Sequence, residues 1–267
     1  MIDREHIVEQ HLKKRNYVIT FANIDELPEE EYAKVRMSGF GASDTSKLLE
    51  VNPFPNGTLK DLIQEKVTGS WDETIGKKAS VRMGKDIEHI ILSKTEKILD
   101  VEIYKPKHMY GSLETHLNTN FDGVAIIDEK VGYPVEAKAV TKYGRKYYDF
   151  TKAVHFQKDG EDFSREPIPE FEIDYFKNTK EYCERAAEYY GIPVYYYTQI
   201  QQQMMFLGTY FGVLAVLDVD NWDMNLFFIH RSEFVHNALK NSATKAWSKV
   251  QAIKDMKENP DEEGEEI

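Results

Sequence analysis

The chain has 267 residues, of which 41% are hydrophobic and 30% are charged. This balance excludes a disordered or collagen-like chain, because enough apolar surface is present to bury a core. The single cysteine, Cys183, excludes an intramolecular disulfide and a zinc site built from four thiolates. The formal charge of -12 disfavours indiscriminate nucleic-acid binding but does not describe the charge inside a cleft.

The two ends of the chain differ in character. The amino-terminal residues are charged and contain no apolar signal segment, and no apolar run approaches a membrane span. We therefore expect a soluble protein of the cytoplasm. Residues 258–267 contain six acids and no base, which is typical of a solvated, disordered tail. Because no repeat and no flexible linker divides the rest, residues 1–257 are predicted to form a single domain.

Helices are predicted over most of the first hundred residues. Pro28 and the three glutamates after it begin a helix that reaches Met37. A short helix is predicted over 43–49, and apolar residues at helical spacing predict another that ends at Gly69. The longest helix of this half covers 77–99.

Beyond residue 100 the hydrophobic pattern changes to that of strands, with β-branched runs separated by turn signals. The predicted elements are, in chain order, strands over 101–104, 117–127 and 131–140, an irregular stretch over 141–191, a helix over 193–207, strands over 210–217 and 225–230, and a final amphipathic helix. This succession predicts an α/β domain built around a mixed sheet.

The residues that suggest chemistry are carboxylates on two consecutive predicted strands. Asp122 lies on one strand, and Glu136 and Lys138 lie on the next. Two residues apart on a strand, Glu136 and Lys138 point to the same face. Converging carboxylates offer the hard oxygen ligands that Mg²⁺ prefers, and a neighbouring lysine can orient or deprotonate a water for attack on a phosphodiester.

The acid-x-lysine pattern is weak by itself. It also occurs at Asp128-Glu129-Lys130, in a predicted turn, and at Asp255-Met256-Lys257, near the end of the last helix. Only Glu136-Ala137-Lys138 follows a strand that is paired with another acid-bearing strand. A surface ion pair on an edge strand is the alternative interpretation.

Other segments are consistent with a site for phosphate. Arg36 and Ser43 flank a glycine-bearing loop that opens a helix, and an arginine, a hydroxyl and helix-start amides together can bind phosphate. The alternative is an N-cap serine beside a surface arginine. Glu88 on a helix is either functional or solvated. Gln199, in a helix rich in glutamine and aromatic residues, either positions a water or phosphate or hydrogen-bonds at the edge of the core.

Several short motifs occur in a fixed order along the chain. They are Gly41-Ala42-Ser43-Asp44, Asn52-Pro53-Phe54, Gly84 with Glu88, Asp122-Gly123, Glu136-Ala137-Lys138 and Tyr197-Thr198-Gln199-Ile200-Gln201. In this order, over about residues 36–218, the chain resembles the YqaJ-type viral recombinases, relatives of phage lambda exonuclease in the PD-(D/E)XK nuclease superfamily. The resemblance implies a restriction-endonuclease-like α/β fold, in which helices flank a central mixed β-sheet.

The resemblance also implies a metal centre. Asp122 and Glu136 match the metal-binding carboxylates of the family, and the carbonyl of Ala137 matches a further ligand. Glu88 matches the helical glutamate that helps to hold a second ion. Two Mg²⁺ ions are therefore implied, and Mn²⁺ suits the same carboxylates.

Catalytic and DNA-binding roles follow from the same resemblance. Lys138 matches the catalytic lysine, and Gln199 matches a glutamine of the active site. Arg36 and Ser43 match the pair that grips a terminal 5′-phosphate. The implied activity is hydrolysis of linear double-stranded DNA in the 5′-to-3′ direction, which leaves 3′ single-stranded overhangs for recombination by single-strand annealing.

The resemblance further implies partners. They are double-stranded DNA ends, a single-strand annealing protein and, as in lambda-like enzymes, further copies of the chain in a ring trimer. The expected setting is the cytoplasm of a bacterial or phage-infected cell, with no membrane association. An endonuclease of the same superfamily, which has no need to grip a 5′-phosphate, and a non-catalytic DNA-binding or assembly module on this fold are the alternatives.

One stretch departs from the pattern of the family. Sixty residues separate Lys138 from Gln199, which predicts an insertion at about 141–191. Three of its first residues, Lys142, Arg145 and Lys146, are interleaved with tyrosines. Such a segment can follow a DNA strand through charge and stacking, or it can be an amphipathic loop that packs on the domain.

Overall fold

The structure is a computed structural model that describes residues 3–54, 57–69, 79–154 and 178–258. The predicted acidic tail after residue 258 and residues 155–177 of the predicted insertion lie outside the described residues, as do the first two residues of the helix predicted over 77–99. None of the helices in the described ranges combines the length and the apolar character that a membrane span requires.

Eight α-helices and eight β-strands are used in the description below. The helices are α1 (Arg4–Lys14), α2 (Glu29–Met37), α3 (Thr45–Leu48), α4 (Leu59–Thr68), α5 (Ala79–Leu99), α6 (Thr179–Tyr190), α7 (Val194–Leu207) and α8 (Glu233–Glu258). The strands are β1 (Val18–Phe21), β2 (Glu102–Tyr104), β3 (Met109–Gly111), β4 (Asn118–Thr119), β5 (Gly123–Ile127), β6 (Lys130–Val140), β7 (Phe211–Asp218) and β8 (Asp223–His230).

A five-stranded mixed sheet forms the centre of the fold, in the order β2-β5-β6-β7-β8. Neighbouring strands are antiparallel except for β6 and β7, which run parallel, with Glu136 opposite Leu214 and Lys138 opposite Val216. The chain between these two strands includes α6 and α7, as a parallel connection requires. The prediction of an α/β fold with a mixed sheet flanked by helices is confirmed.

Strand β6 presents its two faces to different helices. Val135 and Ala137 join a buried apolar cluster with Ile91 and Leu92 of α5. The alternate residues face α7, because Val140 belongs to the other cluster, together with Ile200 of that helix. Glu136 and Lys138 therefore lie on the face that α7 covers, and the expectation that they share one face is confirmed.

Most helical predictions agree with the structure. Pro28 precedes α2, which ends at Met37 as predicted, and Gly69 follows α4 in a left-handed conformation. The helix predicted over 43–49 begins with a 3₁₀ turn, Ala42–Asp44, before α3. The helix predicted over 193–207 corresponds to α7.

Two predictions about the middle of the chain are wrong. The strand predicted over 117–127 is divided at 120–122, because β4 pairs within a small sheet of order β1-β3-β4 whereas β5 pairs within the large sheet. An apolar run does not reveal which sheet it joins. The end of the stretch predicted to be irregular is the helix α6, capped by the Asn178 side chain and ended by Gly191 in a left-handed conformation.

The carboxyl end of α7 is held by Arg15, whose Nε donates to the carbonyl of Phe206 at 2.8 Å and whose Nη2 donates to that of Met205 at 3.2 Å. Gly208 follows the helix with a φ of +66°. A Cβ at Gly208 would overlap the Arg15 guanidinium and displace it from these carbonyls, whereas a Cβ at Gly69, also at φ +66°, would meet no atom within 4 Å.

We therefore predict that Gly208→Ala destabilises the protein more than Gly69→Ala does. The Gly69 variant suffers only the left-handed strain, about 1 kcal/mol, whereas the Gly208 variant also loses charged hydrogen bonds, for a total of about 3 kcal/mol. Denaturant unfolding of both variants checks the difference in free energy. Equal losses in the two variants would show that Arg15 does not stabilise the end of α7.

Candidate active site and phosphate-binding pocket

The centre of the candidate site is the carboxylate of Glu136, which is 1% exposed. One oxygen, Oε1, accepts hydrogen bonds from the ammonium of Lys138 and from the side-chain amide of Gln199. The other, Oε2, accepts from the side-chain amide of Gln203 at 2.6 Å. The structure thus brings together three residues that the sequence predicted to form a site and adds a fourth, Gln203.

Asp122 reaches the same place from the loop before β5. Its Oδ2 accepts the backbone N–H of Ala137 at 3.0 Å, so that its carboxylate is attached to the strand between Glu136 and Lys138. Asp122 is partly exposed, whereas Glu136 is buried. The break between β4 and β5 lets Asp122 turn toward β6 in this way.

Burial and the charge of Asp122 raise the pKa of Glu136 to about 7, although Lys138 and Gln203 act in the opposite direction. Burial lowers the pKa of Lys138, but the carboxylates of Glu136 and Asp122 outweigh this effect and raise it above the usual range. The ammonium therefore keeps its proton. The Lys138 Nζ also lies 5.2 Å from the ring centroid of Tyr196.

In the sequence, Gln203 is one of several glutamines in a predicted helix, and nothing singles it out. Its position four residues after Gln199 places both amides on one face of α7. That spacing is visible in the sequence. That the two amides point at Glu136 depends on the packing of α7 against β6, which the sequence does not reveal.

A pocket about the loop that follows α2 contains the two residues predicted to bind phosphate. Arg36 and Ser43 line it together with Gly41 and two asparagines, Asn118 and Asn120. Ser43 is exposed, and the Arg36 side chain is 25% exposed. The pocket therefore offers a guanidinium, a hydroxyl and amides to an anion, and the structure does bring Arg36 and Ser43 together.

Helix α7 connects this pocket with the Glu136 site. The hydroxyl of Thr45, just after the pocket loop, donates to the hydroxyl of Thr198 at 3.0 Å. The side-chain amide of Gln202 donates to the backbone carbonyl of Asn118, which lines the pocket, at 2.8 Å. Both contacts are buried, so the same helix that holds Glu136 sets the position of the pocket.

Glu88 lies on α5, which packs against the opposite face of β6 from α7. Its carboxylate forms an ion pair with Lys105 at 2.9 Å. The role of Glu88 as a ligand of a second metal ion stays a prediction.

The three basic residues after β6 are placed differently from one another. Arg145 pairs with the buried carboxylate of Asp218 at 2.8 Å and so fastens this loop to β7. The ammonium groups of Lys142 and Lys146 lie 5.2 and 5.0 Å from the ring centroids of the tyrosines that follow them, Tyr143 and Tyr147. Both lysines and both tyrosines are exposed, as a surface that follows a DNA strand requires.

The residues around Glu136 fit a hard divalent cation. A buried carboxylate with a raised pKa, next to a second carboxylate, is a place of excess negative charge. The carboxylate oxygens of Asp122 and Glu136 are the ligand type that Mg²⁺ and Mn²⁺ accept. The ammonium of Lys138 supplies a neighbouring positive charge.

A second group of potential metal ligands, Glu5, Glu9 and His108, has its ligand atoms within 4.8 Å of one another. The backbone N–H of Asn23 donates to His108 Nδ1 at 3.1 Å, so the neutral ring carries its proton on Nε2, which faces Glu9 at 3.3 Å. Glu5 accepts hydrogen bonds from two tyrosine hydroxyls, those of Tyr104 and Tyr110. The two carboxylates therefore have hydrogen-bond or ion-pair partners within the protein.

Comparison with protein families confirms the resemblance to the YqaJ-type recombinases. The family model of the YqaJ-like viral recombinase domain matches residues 31–209. No curated protein sequence matches the chain significantly.

Two solved structures share the fold. The alkaline exonuclease LHK-Exo from Laribacter hongkongensis superposes with a TM-score of 0.55 at 14% identity, over 86% of this chain and 97% of the exonuclease chain. LHK-Exo in complex with dAMP superposes with a TM-score of 0.56 at 13% identity, over the same shares of the two chains. At this level of identity the similarity establishes the fold.

We predict that Gln203→Leu lowers the free energy of unfolding of the metal-free protein by about 1–3 kcal/mol at pH 8.5, because a buried carboxylate oxygen loses its donor. The hydrogen bond from Gln203 lowers the pKa of Glu136, so its contribution is present where Glu136 is ionised. The loss should therefore shrink as the pH falls through 7 toward 5.5.

Gln202→Leu is the matched control, since Gln202 is equally buried on the same helix but donates to a backbone carbonyl. Its loss of stability should not change between the two pH values. Denaturant unfolding at both pH values measures the two losses. A Gln203 variant whose loss is as independent of pH as that of the control would contradict the assignment.

Proposed function

The chain belongs to the YqaJ-like viral recombinase domain family, and from this membership we propose that it is a Mg²⁺-dependent exonuclease acting on linear double-stranded DNA. At each end of the duplex it degrades the strand whose 5′ terminus lies there. The other strand is left as a 3′ single-stranded overhang, which serves recombination by single-strand annealing. The observation that carries the proposal is the buried carboxylate of Glu136 with Asp122 and Lys138 beside it, joined by α7 to the pocket of Arg36 and Ser43.

The carboxylates of Asp122 and Glu136 would hold the metal, with the carbonyl of Ala137 as a further ligand. Glu88, which is paired with Lys105, is the proposed ligand of a second ion. When bound, the metal supplies Lewis-acid activation of the attacking water and stabilisation of the leaving oxygen. Burial of Glu136 excludes bulk water from one side of this centre and strengthens every electrostatic interaction within it.

Lys138 acts as a proton-bearing cation. Its ammonium lies against the Glu136 carboxylate, where it can donate hydrogen bonds, stabilise negative charge on the phosphate and orient the attacking water. Gln199 contacts the same Glu136 oxygen as Lys138 and so fixes where that oxygen lies. Gln199 and Lys138 together set the geometry of the reacting centre.

The pocket of Arg36 and Ser43 favours an exonuclease over an endonuclease. A guanidinium and a hydroxyl grip a terminal phosphate well, and an enzyme that cuts within a duplex has no terminal phosphate to grip. The retained carboxylates and lysine argue against a non-catalytic module. The exposed Lys142 and Lys146, with the neighbouring tyrosines, are proposed to follow the DNA strand, whereas Arg145 supports their loop.

The proposed partners are ends of double-stranded DNA. The protein is proposed to act in the cytoplasm of a bacterial or phage-infected cell. A single-strand annealing protein and a ring trimer are implied by the resemblance and stay predictions. The single domain over 1–257 and the insertion at 141–191 likewise stay predictions.

Lys138→Ala should lower the rate of digestion of linear duplex DNA by about 10²–10⁴-fold, because the reacting centre loses its cation and proton donor. Lys130→Ala is the control, since Lys130 ends another acid-x-lysine triplet and is the exposed first residue of β6. The rates are measured as release of acid-soluble nucleotides in Mg²⁺. A Lys138 variant as active as the Lys130 variant would refute the catalytic assignment.

Arg36→Gln should abolish any advantage of 5′-phosphorylated ends, with a loss of about 10-fold or more on such ends, since a charged contact to the phosphate is lost. The rate on 5′-hydroxyl ends should change much less. Lys34→Gln, which removes an exposed charge from the same helix, should leave the ratio of the two rates unchanged. If both ends lost activity equally in the Arg36 variant, the residue would serve the fold and not the phosphate.

A further inference from the structure

The ammonium of Lys66, on α4, is buried beneath the phosphate pocket. The residue is 1% exposed, and its Nζ donates to the backbone carbonyl of Arg36 at 2.6 Å and to Oδ2 of Asp44 at 3.1 Å. It also lies 5.9 Å from the ring centroid of Phe40. A lysine is rarely buried unless its charge is paired, so this arrangement calls for an explanation.

Asp44 is the partner that accounts for the burial. It is 2% exposed and lines the pocket together with Arg36 and Ser43. Its Oδ2 accepts the backbone N–H of Gly41 at 3.0 Å, which closes the loop, and its Oδ1 lies 3.6 Å from Nη2 of Arg36. The carboxylate is therefore shared between two cations, and Lys66 is the closer one.

This sharing decides how much positive charge the pocket presents. Arg36 and Lys66 together carry two positive charges against the one negative charge of Asp44, so these three groups leave one positive charge in excess. Without Lys66, Asp44 would neutralise Arg36 and draw its guanidinium inward. A carboxylate in a phosphate pocket would then repel the very ligand that Arg36 attracts.

We propose that Lys66 is a specificity-determining residue for the 5′-phosphate, which acts by neutralising Asp44 and by fixing the backbone of Arg36. It is a positioning residue, because its ammonium is buried behind Arg36 and Asp44 and acts through them. The inference rests on the proposed function, in which the pocket receives a terminal phosphate. It adds that the selectivity of the pocket for phosphorylated ends depends on a buried charge behind it.

Binding without hydrolysis tests the inference. The full chain is titrated in EDTA with two fluorescent duplexes of the same sequence, one with 5′-phosphates and one with 5′-hydroxyls, and the dissociation constants are compared by anisotropy. The wild-type protein should prefer the phosphorylated duplex by about 10-fold. Lys66→Met, which keeps the length of the side chain, should bring the ratio close to one, through weaker binding of the phosphorylated duplex.

Lys47→Met is the matched control. Lys47 also adds positive charge near Asp44, but it is partly exposed and pairs with Glu65 at 3.7 Å. Its loss should leave the ratio as in the wild-type protein.

Asp44→Asn provides a second variant in case Lys66→Met does not fold. Removing the carboxylate releases Arg36 from it, so the preference for the phosphorylated duplex should be kept or increased in Asp44→Asn. The double variant Asp44→Asn/Lys66→Met buries no uncompensated charge. It should show the preference for the phosphorylated duplex that Lys66→Met alone lacks. Thermal unfolding followed by circular dichroism identifies the variants that fold.

Three results would overturn the inference. They are a Lys66 variant that keeps the wild-type ratio, a loss of affinity that is equal for the two duplexes, and a wild-type protein that binds both duplexes equally. Because no cleavage is measured, each of them is distinguishable from a failure of the proposed nuclease activity, which is tested separately by digestion in Mg²⁺.

Discussion

The structure depends above all on a negative charge buried between the central sheet and α7. Glu136 is covered by α7 on a central strand, where an unpaired carboxylate would cost several kcal/mol. Lys138, Gln199 and Gln203 donate to its two oxygens, and Asp122 is attached to the next residue of the strand. These donors reduce the cost but do not remove it, since burial and Asp122 still raise the pKa of Glu136 to about 7. A site that retains excess negative charge after its hydrogen bonds are made is well prepared to receive a divalent cation.

Helix α7 connects Glu136 with the pocket of Arg36 and Ser43. One of its faces carries the amides that reach Glu136, and other residues of the same helix bind the loop and strand that line the phosphate pocket. Because these contacts are buried and lie on one element, the distance between Glu136 and the pocket of Arg36 and Ser43 is set by the packing of the domain. An enzyme that removes nucleotides from an end needs such a fixed distance. The pocket has the opposite charge balance from the Glu136 site. Its two cations, Lys66 and Arg36, leave positive charge in excess over Asp44.

Much of this could be predicted from the sequence, and the omissions share a physical cause. Gly69 and Gly208 mark the helix ends that the sequence predicted, and the acid-x-lysine triplet on a strand led to Asp122, Glu136 and Lys138. Asn178 and Gly191 carried a comparable signal for α6, but the mixed charges between them concealed it. The short strands β1 and β3 have no strand-like hydrophobic pattern in the sequence. They are strands because they pair with each other. Lys66 looks like a surface lysine of an amphipathic helix, because its burial results from contacts with residues 22 and 30 positions away.

The most direct test of the central claim is to follow the two ends of one DNA strand during digestion. A linear duplex carries a radioactive phosphate at the 5′ end of one strand, so that the label is the terminal phosphate itself, and a dye at the 3′ end of the same strand. A closed circular duplex is incubated in parallel. In Mg²⁺ the 5′ label should be released early, while the 3′ label persists on long products, the circle stays intact, and EDTA stops the reaction. Earlier release of the 3′ label, cleavage of the circle, or undigested linear DNA in Mg²⁺ and Mn²⁺ would contradict the account.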